Sequence, residues 1–133
     1  MLTKRTAAII TAYTGKVLGD FMDARDYMEE LMRKDSSVNP FDGGDSVKNA
    51  SKADFVNIAV GDAINALTVE EAAVVAAFTG IGIGEFAAMH SYVEKVLGYP
   101  VMTHEFGNKD LWEKIREAAY DDFVALSRSV VKD

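Results

Sequence analysis

The chain has 133 residues, 49% of them apolar and 26% charged, which describes one ordinary globular domain able to build its own core. It holds no cysteine and two histidines, so disulfides, thiolate metal sites and thiol nucleophiles are excluded and little is left for a metal or acid–base centre. Fourteen basic residues against 21 acidic ones give a formal charge of −7, which argues against duplex nucleic acid as a partner.

From the N-terminus, Lys4 and Arg5 precede an apolar run, but Thr11, Tyr13, Thr14 and Gly15 interrupt it, so no signal peptide is expected. No stretch approaches the roughly 18 apolar residues of a membrane span, so no membrane partner and a cytoplasmic location are expected. The pattern predicts a first helix from about Lys4 to Thr14, ended by Gly15, and a second from an Asp20 cap to about Lys34. Asp20, Asp23 and Asp26 come early in that helix and Arg33 and Lys34 late, as the helix dipole favours. Residues 35–48 are turn-forming chemistry, and Asp42-Gly43-Gly44-Asp45 is too short for an EF-hand loop. Ser51 with Asp54 reads as the capped start of a third helix through Phe55, Ile58, Asp62 and Leu67 to a boundary at Thr68.

Thr68 with Glu71 is a capping box for a fourth helix, which stops at Gly80. A turn, Ile81-Gly82-Ile83-Gly84, leads to a fifth helix opened by Glu85, with Phe86, Met89, Val93, Val96 and Leu97 at helical spacing up to Gly98. Residues 99–107 form a connector, and a short strand at 101–103 is the alternative that would make the fold α+β. Asn108 caps the last helix, whose apolar stripe is Leu111, Trp112, Ile115, Ala119, Phe123 or Tyr120, Leu126 and Val130.

The two halves resemble each other. At an offset of 65, Ala12, Thr14, Gly15, Gly19, Phe21, Tyr27 and Glu29 match Ala77, Thr79, Gly80, Gly84, Phe86, Tyr92 and Glu94. Phe41 meets Phe106 in the same register, and Asp54-Phe55-Val56 meets Asp122-Phe123-Val124 after a three-residue insertion. The fold class that follows is all-α. About six short helices form two tandem repeats, 4–66 and 69–131, sharing one core in a single domain over 1–133.

Candidate binding residues lie in the turns and the connector. Gly80, Gly82 and Gly84 before a helix could cradle a small anion, although no strand precedes them and Glu85 brings negative charge. Thr14 with Gly15, and Thr79 with Gly80, repeat a polar residue beside a helix end, where the hydroxyl can bond back to a helix carbonyl or line a pocket. His90 and Glu94 share a helix face but lack the third protein ligand that zinc requires. Thr103, His104 and Glu105 sit in the connector, where Glu105 could orient His104 or the group could tie connector to helix. No catalytic residue, metal ligand or cofactor is assigned.

The segments Ala77-Phe78-Thr79-Gly80, Tyr92 to Gly98, Pro100 to Phe106 and Trp112 to Glu117 resemble a small uncharacterised family of bacteriophage and prophage proteins. That family shows an Ala-Tyr-Thr-Gly opening and a Gly-x-Pro-x-x-Thr-His-Glu segment, and the likeness covers residues 72–124. Residues 1–66 join it only through the internal repeat and lack Gly-x-Pro and Thr-His-Glu. The resemblance implies a viral or prophage origin and nothing catalytic. The leading expectation is a non-enzymatic protein working through a protein interface, against a host protein such as a defence component. A small-molecule-binding or sequestering protein comes next, and a small-substrate enzyme third. A homodimer is also expected, because the helix at 69–78 is apolar nearly all round and should need covering.

Overall fold

The structure is a computed structural model that describes residues 2–39, 41–59 and 67–130. Its elements are α1 (Lys4–Thr14), α2 (Phe21–Lys34), α3 (Asp45–Ala59), α4 (Val69–Thr79), α5 (Phe86–Leu97), a 3₁₀ helix (Thr103–Gly107) and α6 (Lys109–Arg128). The fold is all-α. No strand forms among the described residues, and the alternative at 101–103 is corrected to an extended connector running into the 3₁₀ helix.

The helix ends follow from local chemistry. Thr3 accepts the Thr6 N–H at the start of α1, Asp20 that of Met22 at α2, and Asn108 that of Asp110 at α6. Thr68 and Glu71 close a full capping box on α4. Gly15 and Gly80 end α1 and α4 in the left-handed conformation, at φ 76° and 74°. The expected start of α3 at Ser51 is wrong by more than a turn. Ser51 is fully buried inside the helix and donates to the Lys48 carbonyl, so its hydroxyl bonds backward instead of capping. Continuation of α3 over 60–66 lies outside the described residues.

Each half packs within itself in the same way. Helix α1 lies against α2 and α3, and α4 against α5 and α6. Glycines make the close approaches possible. A Cβ on Gly19 would stand 3.3 Å from the Ala7 Cβ, and one on Gly84 only 2.8 Å from the Ala72 Cβ, at positions equivalent under the repeat. Leu18 and Ile83, also equivalent, plug the two turns as buried anchors. The buried residues of both units join one apolar cluster. Between the units, the Gly19 N–H donates to Ser127 Oγ at 2.6 Å.

Helix α4 is covered inside the single chain. Ala72, Ala73, Val75, Ala76 and Ala77 are buried, and of its large apolar side chains only Val69 is exposed. Most of the apolar circumference that motivated a dimer through 69–78 is therefore buried within the chain, with Val74 and Phe78 half-buried. Among the described residues, no helix is long and apolar enough to cross a membrane.

Candidate functional site

The Thr-Gly turns repeat one hydrogen-bonded arrangement in both units. Thr14 Oγ1 donates to the Ile10 carbonyl at 2.6 Å and accepts the Lys16 N–H at 3.2 Å. Thr79 repeats this with Val75 at 2.7 Å and Ile81 at 3.2 Å. Both hydroxyls are thus committed to ending a helix and starting the turn, with Gly15 and Gly80 as the left-handed residues. Gly84 serves helix contact, and Gly82 is exposed with open space around it.

The connector candidates separate. Thr103 and His104 are exposed on the 3₁₀ helix. Glu105 Oε1 accepts the Met102 N–H at 3.2 Å, so its carboxylate starts that helix and does not orient His104. The tie between connector and helix is made by the other His–Glu pair. His90 Nε2 donates to the Val101 carbonyl at 2.6 Å, and Glu94 Oε2 accepts the Val101 N–H at 2.8 Å. Both backbone groups of one connector residue are held by two side chains a helical turn apart on α5, and the Val101 side chain is buried. The 3₁₀ helix then docks through Phe106, whose ring meets Phe86, His90 and Trp112 at centroid distances of 5.5, 5.2 and 5.6 Å. Trp112 Nε1 donates to the Phe106 carbonyl at 2.7 Å.

The repeat extends to side-chain pairs. Tyr27 donates to Asp54 Oδ2 and Tyr92 to Asp122 Oδ2, both at 2.6 Å. Burial first, and the adjacent carboxylate second, raise both phenols well above their ordinary range, so each stays a neutral donor. Tyr13 stacks on Phe55 and Phe78 on Phe123, with centroids 4.2 Å apart in both pairs.

Two differences between the units stand out. In the first, Phe41, the counterpart of Phe106, is 92% exposed. It lies in a loop with Asp35 and Asp42, followed by Asp45 at the start of α3, and no basic residue stands between them. Hydrogen bonds from Ser37 and Ser46 hold Asp35 and Asp42 below the usual carboxylate range, so the loop keeps its negative charge. In the second unit, Phe78 and Tyr120 line a cleft of about 560 Å³ together with Glu113, Arg116 and Glu117. Arg116 lines this cleft, and its Nε is buried with no hydrogen-bond partner among the described residues. Such a group costs about 1–3 kcal/mol when left unsatisfied. An adjoining cleft of about 400 Å³ shares Phe78 and Tyr120 and is flanked by Lys16 from the first unit and Arg128 from α6. Of the turn and connector candidates only Gly15 borders these clefts; the other cleft residues and Phe41 were not among them, and the departures from the repeat were the signal that pointed to them.

A domain of unknown function (DUF7736) matches residues 4–60 and 69–129. The chain belongs to that family. The two matched stretches coincide with the two structural units, one from α1 to α3 and the other from α4 to α6. Comparison with curated proteins and with solved structures gives no match.

Proposed function

We propose that this is a non-enzymatic interaction protein that engages a partner protein through the loop of its first unit, with Phe41 as the anchor. The observation that carries the reading is the exposure of Phe41, set against its counterpart Phe106, which is held by three rings. An aromatic side chain fully presented on a loop is the kind of group that fills a partner's pocket and dominates binding energy. The acidic residues on either side select the partner's chemistry: an apolar pocket with a basic rim. The resemblance to phage and prophage proteins supports a host protein in the host cytoplasm as that partner.

Site-specific photo-crosslinking tests this. A benzophenone amino acid is placed at position 41 in the full-length protein in its native cell, with position 99, an exposed tyrosine in the second unit, as the control. One partner protein captured from position 41 and not from 99 is expected, with Phe41→Ala abolishing its binding and leaving stability within about 0.5 kcal/mol. The same proteins captured from both positions, or only a second copy of the chain from position 41, would overturn the proposal.

A further inference from the structure

The stacked pair beside the cleft, Phe78 on Phe123, has its counterpart in Tyr13 on Phe55 in the first unit. There Lys48 Nζ lies 5.3 Å from the centroid of the Tyr13 ring, covering the partner of Phe55 with a cation. The register that pairs Phe55 with Phe123 pairs Lys48 with Arg116 on the matching helix. Among the described residues no cation covers Phe78. Its ring lines the open cleft instead, and the Arg116 side chain lines the same cleft, its buried Nε without a partner among the described residues. One aromatic scaffold thus appears twice, with a cation over its ring in one unit and an open cleft at its ring in the other.

The open copy has a definite division of charge. Phe78 and Tyr120 occupy the middle and border both clefts. Arg116, with Glu113 and Glu117, supplies guanidinium donors and carboxylate acceptors on one side. Lys16 and Arg128 place two cations on the other. Among the described residues none of these three cations forms an ion pair. A matching ligand has a planar aromatic body to lie on the rings, an edge carrying both donors and acceptors, and an anionic group at its far end. A nucleobase with its phosphate has those three parts, and the cleft volume falls within the range of small-molecule sites.

We infer that this cleft binds a purine nucleoside monophosphate, with the base on Phe78 and Tyr120, its edge at Arg116 and the two glutamates, and its phosphate at Lys16 and Arg128. Since Lys16 belongs to the first unit and the other residues to the second, the ligand bridges the two units. This site is separate from the Phe41 loop.

Titration of the full-length protein with AMP and with GMP, followed by calorimetry and by backbone amide shifts, tests the inference. At least one should bind with a Kd below about 1 mM and shift the amides of residues 78, 116 and 120. Arg116→Gln and Lys16→Gln should each weaken binding by about tenfold without lowering the melting temperature, whereas Lys48→Gln and Phe41→Ala should leave it unchanged. The inference is overturned if neither nucleotide binds at about 10 mM. It is equally overturned if the Arg116 and Lys16 variants bind as wild type, or if inorganic phosphate alone binds as tightly as the nucleotide.

Discussion

Gly84→Ala measures how tightly each unit is closed. Two costs add at this position. The residue sits at φ 75°, where any side chain costs about 1–2 kcal/mol relative to glycine. The new Cβ would stand 2.8 Å from the Ala72 Cβ, well inside contact distance. Ala72 is buried in the first turns of α4 and its Cβ has no rotamer to escape into, so backbone must move. Overpacking of that kind adds about 1–3 kcal/mol. The total is about 2–5 kcal/mol. Gly15→Ala is the internal reference, since its φ is 76° but its new Cβ meets nothing within 4 Å. It carries the backbone cost alone, about 1–2 kcal/mol. Gly19→Ala should fall between, because its nearest contacts are Val130 Cγ2 at 3.2 Å and the Ala7 Cβ at 3.3 Å. Urea unfolding of the three variants should give the order Gly84, Gly19, Gly15 from most to least damaged. Equal midpoints for Gly84→Ala and Gly15→Ala would show that α4 and the start of α5 do not approach as described.

The tyrosine–aspartate pairs give a second expectation: Tyr27→Phe should cost about 1–3 kcal/mol in urea unfolding, and Tyr92→Phe less, because that pair is more exposed. Both phenols are raised in the folded state, so their contribution is complete below the ordinary tyrosine value near pH 10 and fades as pH climbs above it. Absorbance titration of the wild type against Tyr27→Phe and Tyr92→Phe should show that each variant loses only signal that appears above the ordinary tyrosine value near pH 10, and loss of signal at or below that value would contradict this. For the connector, Glu94→Ala removes the acceptor of the Val101 N–H, and hydrogen exchange at that amide should accelerate about tenfold while α1 is unaffected. An unchanged rate at Val101 would refute the clamp.

The duplication was legible because it rests on residues whose conformational demands are local. A left-handed glycine, a threonine bonding back into its own helix and a buried turn anchor leave the same letters at the same spacing in both halves. Even the three-residue insertion read correctly, for it is what keeps Asp122 opposite Tyr92 as Asp54 is opposite Tyr27. Long-range choices were not legible. Ser51-x-x-Asp54 imitates a helix start, and only burial of Ser51 reveals that the helix began a turn and a half earlier. His90 and Glu94 look like half a metal site until the chain returns and offers them Val101. The matched letters Phe41 and Phe106 suggest equal packing, yet a phenylalanine docks only if a partner surface exists. His90 and Trp112 provide part of one in the second unit, while Arg25 stands at the position of His90 in the first. How much of the all-apolar α4 its neighbours in the same chain can cover was not legible either: Ala72, Ala73, Val75, Ala76 and Ala77 are buried within the single chain, while Val69 stays exposed.

The central claim is that one helical unit is built twice around the same aromatic and tyrosine–aspartate pairs. Ring-to-ring nuclear Overhauser contacts in the isotopically labelled full-length chain test it most directly. The account predicts contacts between Tyr13 and Phe55 and between Phe78 and Phe123 in the same spectrum, with comparable intensity at equal centroid distances of 4.2 Å. Contacts in one unit without the other, or rings of Tyr13 and Phe78 meeting across the units instead, would contradict it.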